Sequence, residues 1–158
     1  MSFFASQTQS DPIYVPFDMP NTIVVRQLTG AEYETVCEAH RAGVAGGRPT
    51  LWPALFRKAL TAGAANRDVQ KAIADPLTGH DRYTLVKLGL VSCSRPLPMS
   101  KADPLVAMTL AEAIDDMGDE ALDFAATEVL RKTKPALFVV SEAVEDANTQ
   151  PAAVAPAA

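Results

Sequence analysis

At 158 residues the chain has room for one domain of ordinary size, whose core needs neither a metal nor disulfide staples. Its 14 basic and 19 acidic side chains leave a net charge of −5, and the longest basic clusters are RKTK at 131–134 and FRK at 56–58, which speaks against nucleic acid as a partner. No basic, apolar leader opens the chain and no run approaches the ~18 apolar residues of a membrane span, so a cytosolic protein is expected, with Cys37 and Cys93 reduced.

Residues 1–20 carry Pro12, Pro16 and Pro20 among Ile13, Tyr14, Val15, Phe17 and Met19, a pattern that disfavours helix and any central strand. It reads as an extended arm. Its apolar side chains have to lie on something, either their own domain or a neighbouring subunit. Ile23, Val24 and Val25 open a short strand that stops before Thr29. Thr29-Gly30-Ala31-Glu32 is a capping box, with Leu28 and Tyr33 placed for a hydrophobic staple, so a helix starts here. Tyr33, Val36, Cys37 and His40 continue at helical spacing until Gly43 and the loop GVAGGRP at 43–49.

Thr50 is the next expected N-cap, followed by a Leu51/Leu55/Ala59 row and a Trp52/Phe56/Leu60 row, with Pro53 in the first turn. Asn66 caps a short helix through Val69, Ala72 and Ile73, which ends at the turn DPLTGH, 75–80. DRYTLVKLGLVSC, 81–93, reads as a buried helix of about three turns, with a strand as the alternative. After the proline-rich break SRPLPMSKADP, 94–104, Asp103 and Pro104 predict a helix carrying Leu105, Met108, Leu110, Ala111 and Ile114 and stopping at Gly118. Asp119 then caps a last helix with Leu122, Ala125 and Val129 on one side, acidic residues early and basic ones late, ending at Pro135. ALFVV, 136–140, adds a turn or strand, and the acidic, Pro/Ala-rich segment from 141 has almost nothing to bury. The expected fold class is therefore mainly α: an extended arm (1–20), a helical domain with a short N-terminal β element (21–140), and a flexible tail (141–158).

No motif points to chemistry. Cys37, His40, His80 and Cys93 are the only ligand set large enough for zinc, but structural sites bring ligands in two close pairs and His80 and Cys93 share no such spacing. The glycines at 43–47 lack the following Lys-Ser/Thr of a phosphate loop. Asp115/Asp116 and Asp119/Glu120 flank a glycine at a helix junction, where capping and solvation explain them, and no His or Lys stands beside them to tune a pKa. The sequence thus assigns no catalytic, cofactor-binding or metal-binding residue and no small-molecule substrate.

The order of segments carries more. An arm and strand, then VVRQLTGAEYETVCEAH (24–40), a helical middle, SRPLPMSKADP, and the helices LVAMTLAEAIDDM (105–117) and GDEALDFAATEVLRKT (118–133) together resemble the small tail assembly chaperones of long-tailed bacteriophages. The match covers about 21–132. The resemblance implies a protein that binds tape-measure and tail-tube proteins in the host cytoplasm during tail building and is absent from the finished particle, with self-association left open. The proline-rich arm and Pro/Ala tail depart from that pattern and suit a permanent virion protein of tail, neck or capsid surface that laces neighbours together. A holdase needs an apolar groove with an acidic surround. The Trp52/Phe56/Leu60 row or the Leu105/Met108/Ile114 row could supply it, with Tyr14, Phe17, Trp52, Phe56, Leu60, Leu105 and Met108 as the candidate partner-binding residues, although the core of a helical bundle is the more ordinary use of either row alone.

Overall fold

A computed structural model describes residues 3–45 and 75–139. The expected loop at 46–49, the helices capped by Thr50 and Asn66, the candidate residues Trp52, Phe56 and Leu60, and the tail from 141 lie outside the described residues. In chain order the elements are a single 3-10 turn (Ala5–Gln7), β1 (Ile13–Tyr14), β2 (Thr22–Val25), α1 (Gly30–Ala45), α2 (Arg82–Gly89), β3 (Leu90–Cys93), α3 (Leu110–Asp115) and α4 (Asp119–Thr133). The expectation of a mainly α chain is corrected: the protein is mixed α/β, built on a three-stranded antiparallel sheet in the order β1-β2-β3.

Two of the three strands escape a helix-based reading for different reasons. In β1 the prolines at 12 and 16 fall just outside the paired residues, so Ile13 and Tyr14 still register against Ile23 and Thr22. Beyond the strand, Ser10 donates to the Val25 carbonyl at 2.8 Å and Gln27 to the Thr8 carbonyl at 2.9 Å, so residues 8–14 lie along their own sheet. In β3 the apolar spacing of 81–93 continues smoothly, but the backbone turns extended at Leu90 (φ −76°, ψ 118°). Helix and strand share that run. β3 then pairs Cys93 with Ile23 and Ser92 with Val24, and a register shift between Val24 and Val25 brings Leu90 opposite Val25.

The sheet's alternation sends Ile23 and Val25 into the core beneath α2 and α4. α4 supplies Leu122, Ala125, Ala126, Val129 and Leu130, a buried stripe at helical spacing. α1 adds Val36, α2 adds Leu85 and Val86, α3 adds Ile114, and a helical turn at 136–139 closes the end with Phe138. The ring of Phe138 lies under the Arg131 guanidinium at 4.4 Å.

Local signals set most helix ends. Glu32 N–H donates to Thr29 Oγ1 at 3.2 Å and Thr29 N–H to Glu32 Oε2 at 2.8 Å, the reciprocal bonds of a capping box. Glu32 also accepts both arms of Arg26, at 2.7 and 3.0 Å, and this fork holds its carboxyl below the usual carboxylate range. Thr29→Ala is expected to cost about 1 kcal/mol, read as a fall in the urea midpoint at unchanged slope. α1 runs past Gly43 to Ala45, beyond the expected stop. The helix expected from Asp103 begins only at Leu110, because Thr109 and Glu112 form a second capping box. Residues 98–108 fold instead as a small hairpin: Ser100 donates to Val106 at 2.7 Å, Met108 to Pro98 at 2.8 Å, and Met99 bridges Ala107. Gly118, not Asp119, is the N-cap of α4, and no side chain caps it. Asp119 sits one residue inside and pairs with Arg82.

Candidate protein-binding groove

A tight chain reversal brings β1 back as β2. Val15 donates to the Asn21 carbonyl at 2.9 Å, Asp18 to Val15 at 3.0 Å, and Asn21 to Asp18 at 2.9 Å. The proline-rich stretch after β3 is bound to this reversal by polar contacts: Thr22 N–H donates to Ser94 Oγ at 2.7 Å, Ser94 N–H to the Thr22 carbonyl at 2.9 Å, and Arg95 pairs with Asp18 at 2.9 Å. The two extended pieces become one wall. Opposite stands the α3–α4 corner, where the small residues Ala113, Gly118, Ala121 and Ala125 alternate with Met117 and Phe124 along the facing side.

Small side chains against an extended wall leave space. The result is an open groove of about 410 Å³, within the ~300–1,000 Å³ range of ligand clefts, lined chiefly by Val15, Phe17, Ile23, Leu97, Met117 and Phe124. Phe17 stands edge-on to Phe124, with ring centroids 5.9 Å apart, and is still 45% exposed. Around the corner is a more polar hollow of about 280 Å³ with Lys101, Met108, Glu112, Asp115 and Asp116 on its walls. Asp116 borders both.

The structure scatters the residues singled out from sequence. Phe17 lines the groove. Tyr14 stands 60% exposed on the sheet-edge strand β1. Leu105, in the hairpin, is 89% exposed, whereas Met108 is buried beside the smaller hollow. The expected Leu105/Met108/Ile114 row is not a helix face, since only Ile114 lies in α3. Phe124, Met117, Leu97 and Arg95 escape sequence reasoning. The first two lie in segments that already read as helix, and nothing local says they face the arm.

The four residues Cys37, His40, His80 and Cys93 do not form a zinc site among the described residues. The Cys93 thiol points to the Arg95 carbonyl at 3.4 Å, and burial pushes its pKa up. His80 lies in the turn before α2, its Nε2 2.8 Å from the Tyr33 hydroxyl of α1. Among the described residues no group of three or more His, Cys, Asp or Glu is placed to hold a metal ion. Three of the four acidic residues considered for acid–base work meet a cation: Asp115 with Lys87 at 3.5 Å, Asp116 with Lys101 at 3.1 Å and Asp119 with Arg82 at 2.7 Å.

Burial lowers the His80 pKa from its ordinary 6.5, against the carbonyls of Pro76 and Thr78, which favour the charged ring, while His40 adds to the depression. The folded chain therefore prefers neutral His80 more than the unfolded chain does. That contribution is complete above pH 6.5 and is lost as pH falls below it toward the depressed folded value. His80→Gln should flatten the decline of the urea midpoint between about pH 7 and pH 5 relative to wild type; equal slopes would show that His80 carries no linkage.

No helix among the described residues is long and apolar enough to cross a membrane. Compared with family models, with curated proteins and with solved structures, the chain finds no significant match in any of the three.

Proposed function

We propose that the protein is a non-enzymatic tail assembly chaperone of a long-tailed bacteriophage, which holds an apolar segment of a tape-measure or tail-tube protein while the tail is built. The segment order described above supports the phage assignment. The observation that carries the binding half is the groove: two aromatic rings, Phe17 and Phe124, with Leu97 and Met117, left open to solvent by the small residues of the α3–α4 corner. Methionine, with three rotatable bonds and a polarizable sulfur, adapts to varied apolar partners, as a holdase requires.

A second reading, a permanent virion component that laces neighbouring subunits, is favoured by one feature. The segment leading into the sheet edge exposes Phe3, Phe4 and Tyr14, and an exposed edge with apolar side chains is adhesive. Mass spectrometry of purified particles separates the two. Absence from particles, together with co-purification of a tape-measure protein from infected cells, is the result expected for the chaperone. Presence at stoichiometric amount sinks it in favour of the structural role.

A further inference from the structure

Resting on the groove reading above, we infer that the groove of one chain takes Phe3 and Phe4 from the arm of a second copy, joining copies head to tail. The groove itself narrows the choice of occupant. Among the described residues its charged lining is Asp18, Arg95 and Asp116, and each is matched within the chain: Asp18 with Arg95 at 2.9 Å, Asp116 with Lys101 at 3.1 Å. A charged occupant would lose water there and gain no counter-ion, so the fitting segment is uncharged and bears large apolar side chains.

The arm presents such a segment. Residues 3–10, FFASQTQS, hold no ionisable side chain. Phe3 and Phe4 stand 93% and 57% exposed, with their rings edge to face at 4.9 Å. Phe17 and Phe124 meet the same way in the groove, an arrangement to which further rings can add. While the arm stays paired, this aromatic knob does not reach the groove of its own molecule. Gln27 N–H donates to the Thr8 carbonyl and Ser10 N–H to the Val25 carbonyl, which fixes the start of the arm beside Gln27. The groove lies at the other end of β2, by Asn21 and Thr22, about 17 Å of extended chain away. Knob and groove at opposite ends of one ribbon make a heterologous contact, which leaves one of each unfilled at the ends of a row of copies.

Area sets the strength. Two phenylalanines bury about 300–500 Å², and with a similar area of groove the total of about 600–1,000 Å² falls short of the ~1,200 Å² of a stable interface. The contact is therefore weak and concentration-dependent, and a tighter-binding client displaces it. Copies at net charge −5 repel one another while the contact itself is uncharged, so added salt should strengthen the association.

The test is sedimentation velocity on the full chain between about 10 µM and about 1 mM, the range in which a contact of this size is populated. The weight-average mass of the wild type should rise at least about 1.5-fold across that range, and further at high salt. Phe3→Ser with Phe4→Ser removes the knob, and Ala121→Trp fills the groove from α4, with Ala113→Trp as the block from α3 in case the first does not fold. Each variant alone should stay monomeric. An equimolar mixture of the knobless and the groove-filled variants should form a dimer of one each, because each supplies the half that the other lacks.

A wild type that is monomeric throughout, association that survives loss of the knob, association that salt weakens, or a mixture that stays monomeric overturns the inference. Retention of a tape-measure protein from infected cells, identified by mass spectrometry, tests the groove reading separately. If the wild type is monomeric yet retains that protein and Ala121→Trp loses it, head-to-tail docking falls and the groove reading stands. If the copies associate as described but both forms retain the tape-measure protein equally, the client reading of the groove falls and the docking stands.

Discussion

Replacing Gly89 with alanine is expected to destabilise the protein by about 2–3 kcal/mol, although the same change inside an ordinary helix gains up to about 1 kcal/mol. Gly89 is the last residue of α2, where the chain leaves helix for β3. A Cβ built there would lie 2.2 and 2.6 Å from the two methyl carbons of Val129 and 3.0 Å from its Cβ. Those methyls have nowhere to swing: Val129 is fully buried on α4, and a β-branched side chain in a helix has essentially one rotamer. Either α2 moves away from α4 or Val129 leaves its well. Both disturb the central packing of the core.

The partner substitution makes the argument specific. Val129→Ala removes the methyls and costs stability through the cavity it leaves. In the double variant the new Cβ of position 89 occupies part of that space, so the combined loss should fall short of the sum by at least about 1 kcal/mol, within the range seen for residues in contact. Urea midpoints of wild type, both single variants and the pair measure it. Additive losses would mean that the close approach of Gly89 to Val129 does not limit the fold.

The second large effect concerns Arg82, whose side chain is only 3% exposed and whose guanidinium reaches Asp123 at 2.6 Å and Asp119 at 2.7 Å across to α4. The two carboxylates hold its pKa above the ordinary arginine value in spite of burial. The network is asymmetric, because the Asp123 and Asp119 side chains are 24% and 59% exposed and can be hydrated where they stand, whereas the guanidinium cannot. Removing the acids is therefore worse than removing the base. Asp119→Ala with Asp123→Ala strips much of the countercharge from a buried cation and should cost about 3–5 kcal/mol, while Arg82→Met, which keeps the apolar stem and drops the charge, should cost clearly less. If Arg82→Met proves the more damaging, the pair would be a net source of stability rather than a means of positioning α2 on α4. Equilibrium unfolding of the two variants decides it.

How much of this was legible beforehand depends on the range of the interaction. The Thr29/Glu32 capping box, the Leu122/Ala125/Val129 stripe, the basic last turn of α4 and its stop before Pro135 are read from neighbours three or four residues apart, and the structure keeps each of them. Asp81 caps α2 through the Tyr83 amide by the same kind of local bond. The helix expected from Asp103 fails for a local reason too, since the Thr109/Glu112 box outcompetes it and leaves 98–108 free to close as a hairpin. The groove was not legible at all. Phe17 was singled out for its apolar character in an arm, but its meeting with Phe124 joins residues 107 positions apart, and no local rule supplies such a contact.

By itself the sequence determined where α1 begins and where α4 ends, because caps, prolines and apolar stripes act within a turn or two of chain. It also determined the acidic balance, which is a property of composition. Tertiary structure alone decided that 81–93 divides into helix and strand, since Leu90 to Cys93 become a strand only by pairing with β2 nearly seventy residues earlier. It decided as well that the arm would complete the sheet and that small residues at one helix corner would face it across an open groove. Burial and strand pairing reward contacts between distant residues, and the pattern of near neighbours contains no record of them.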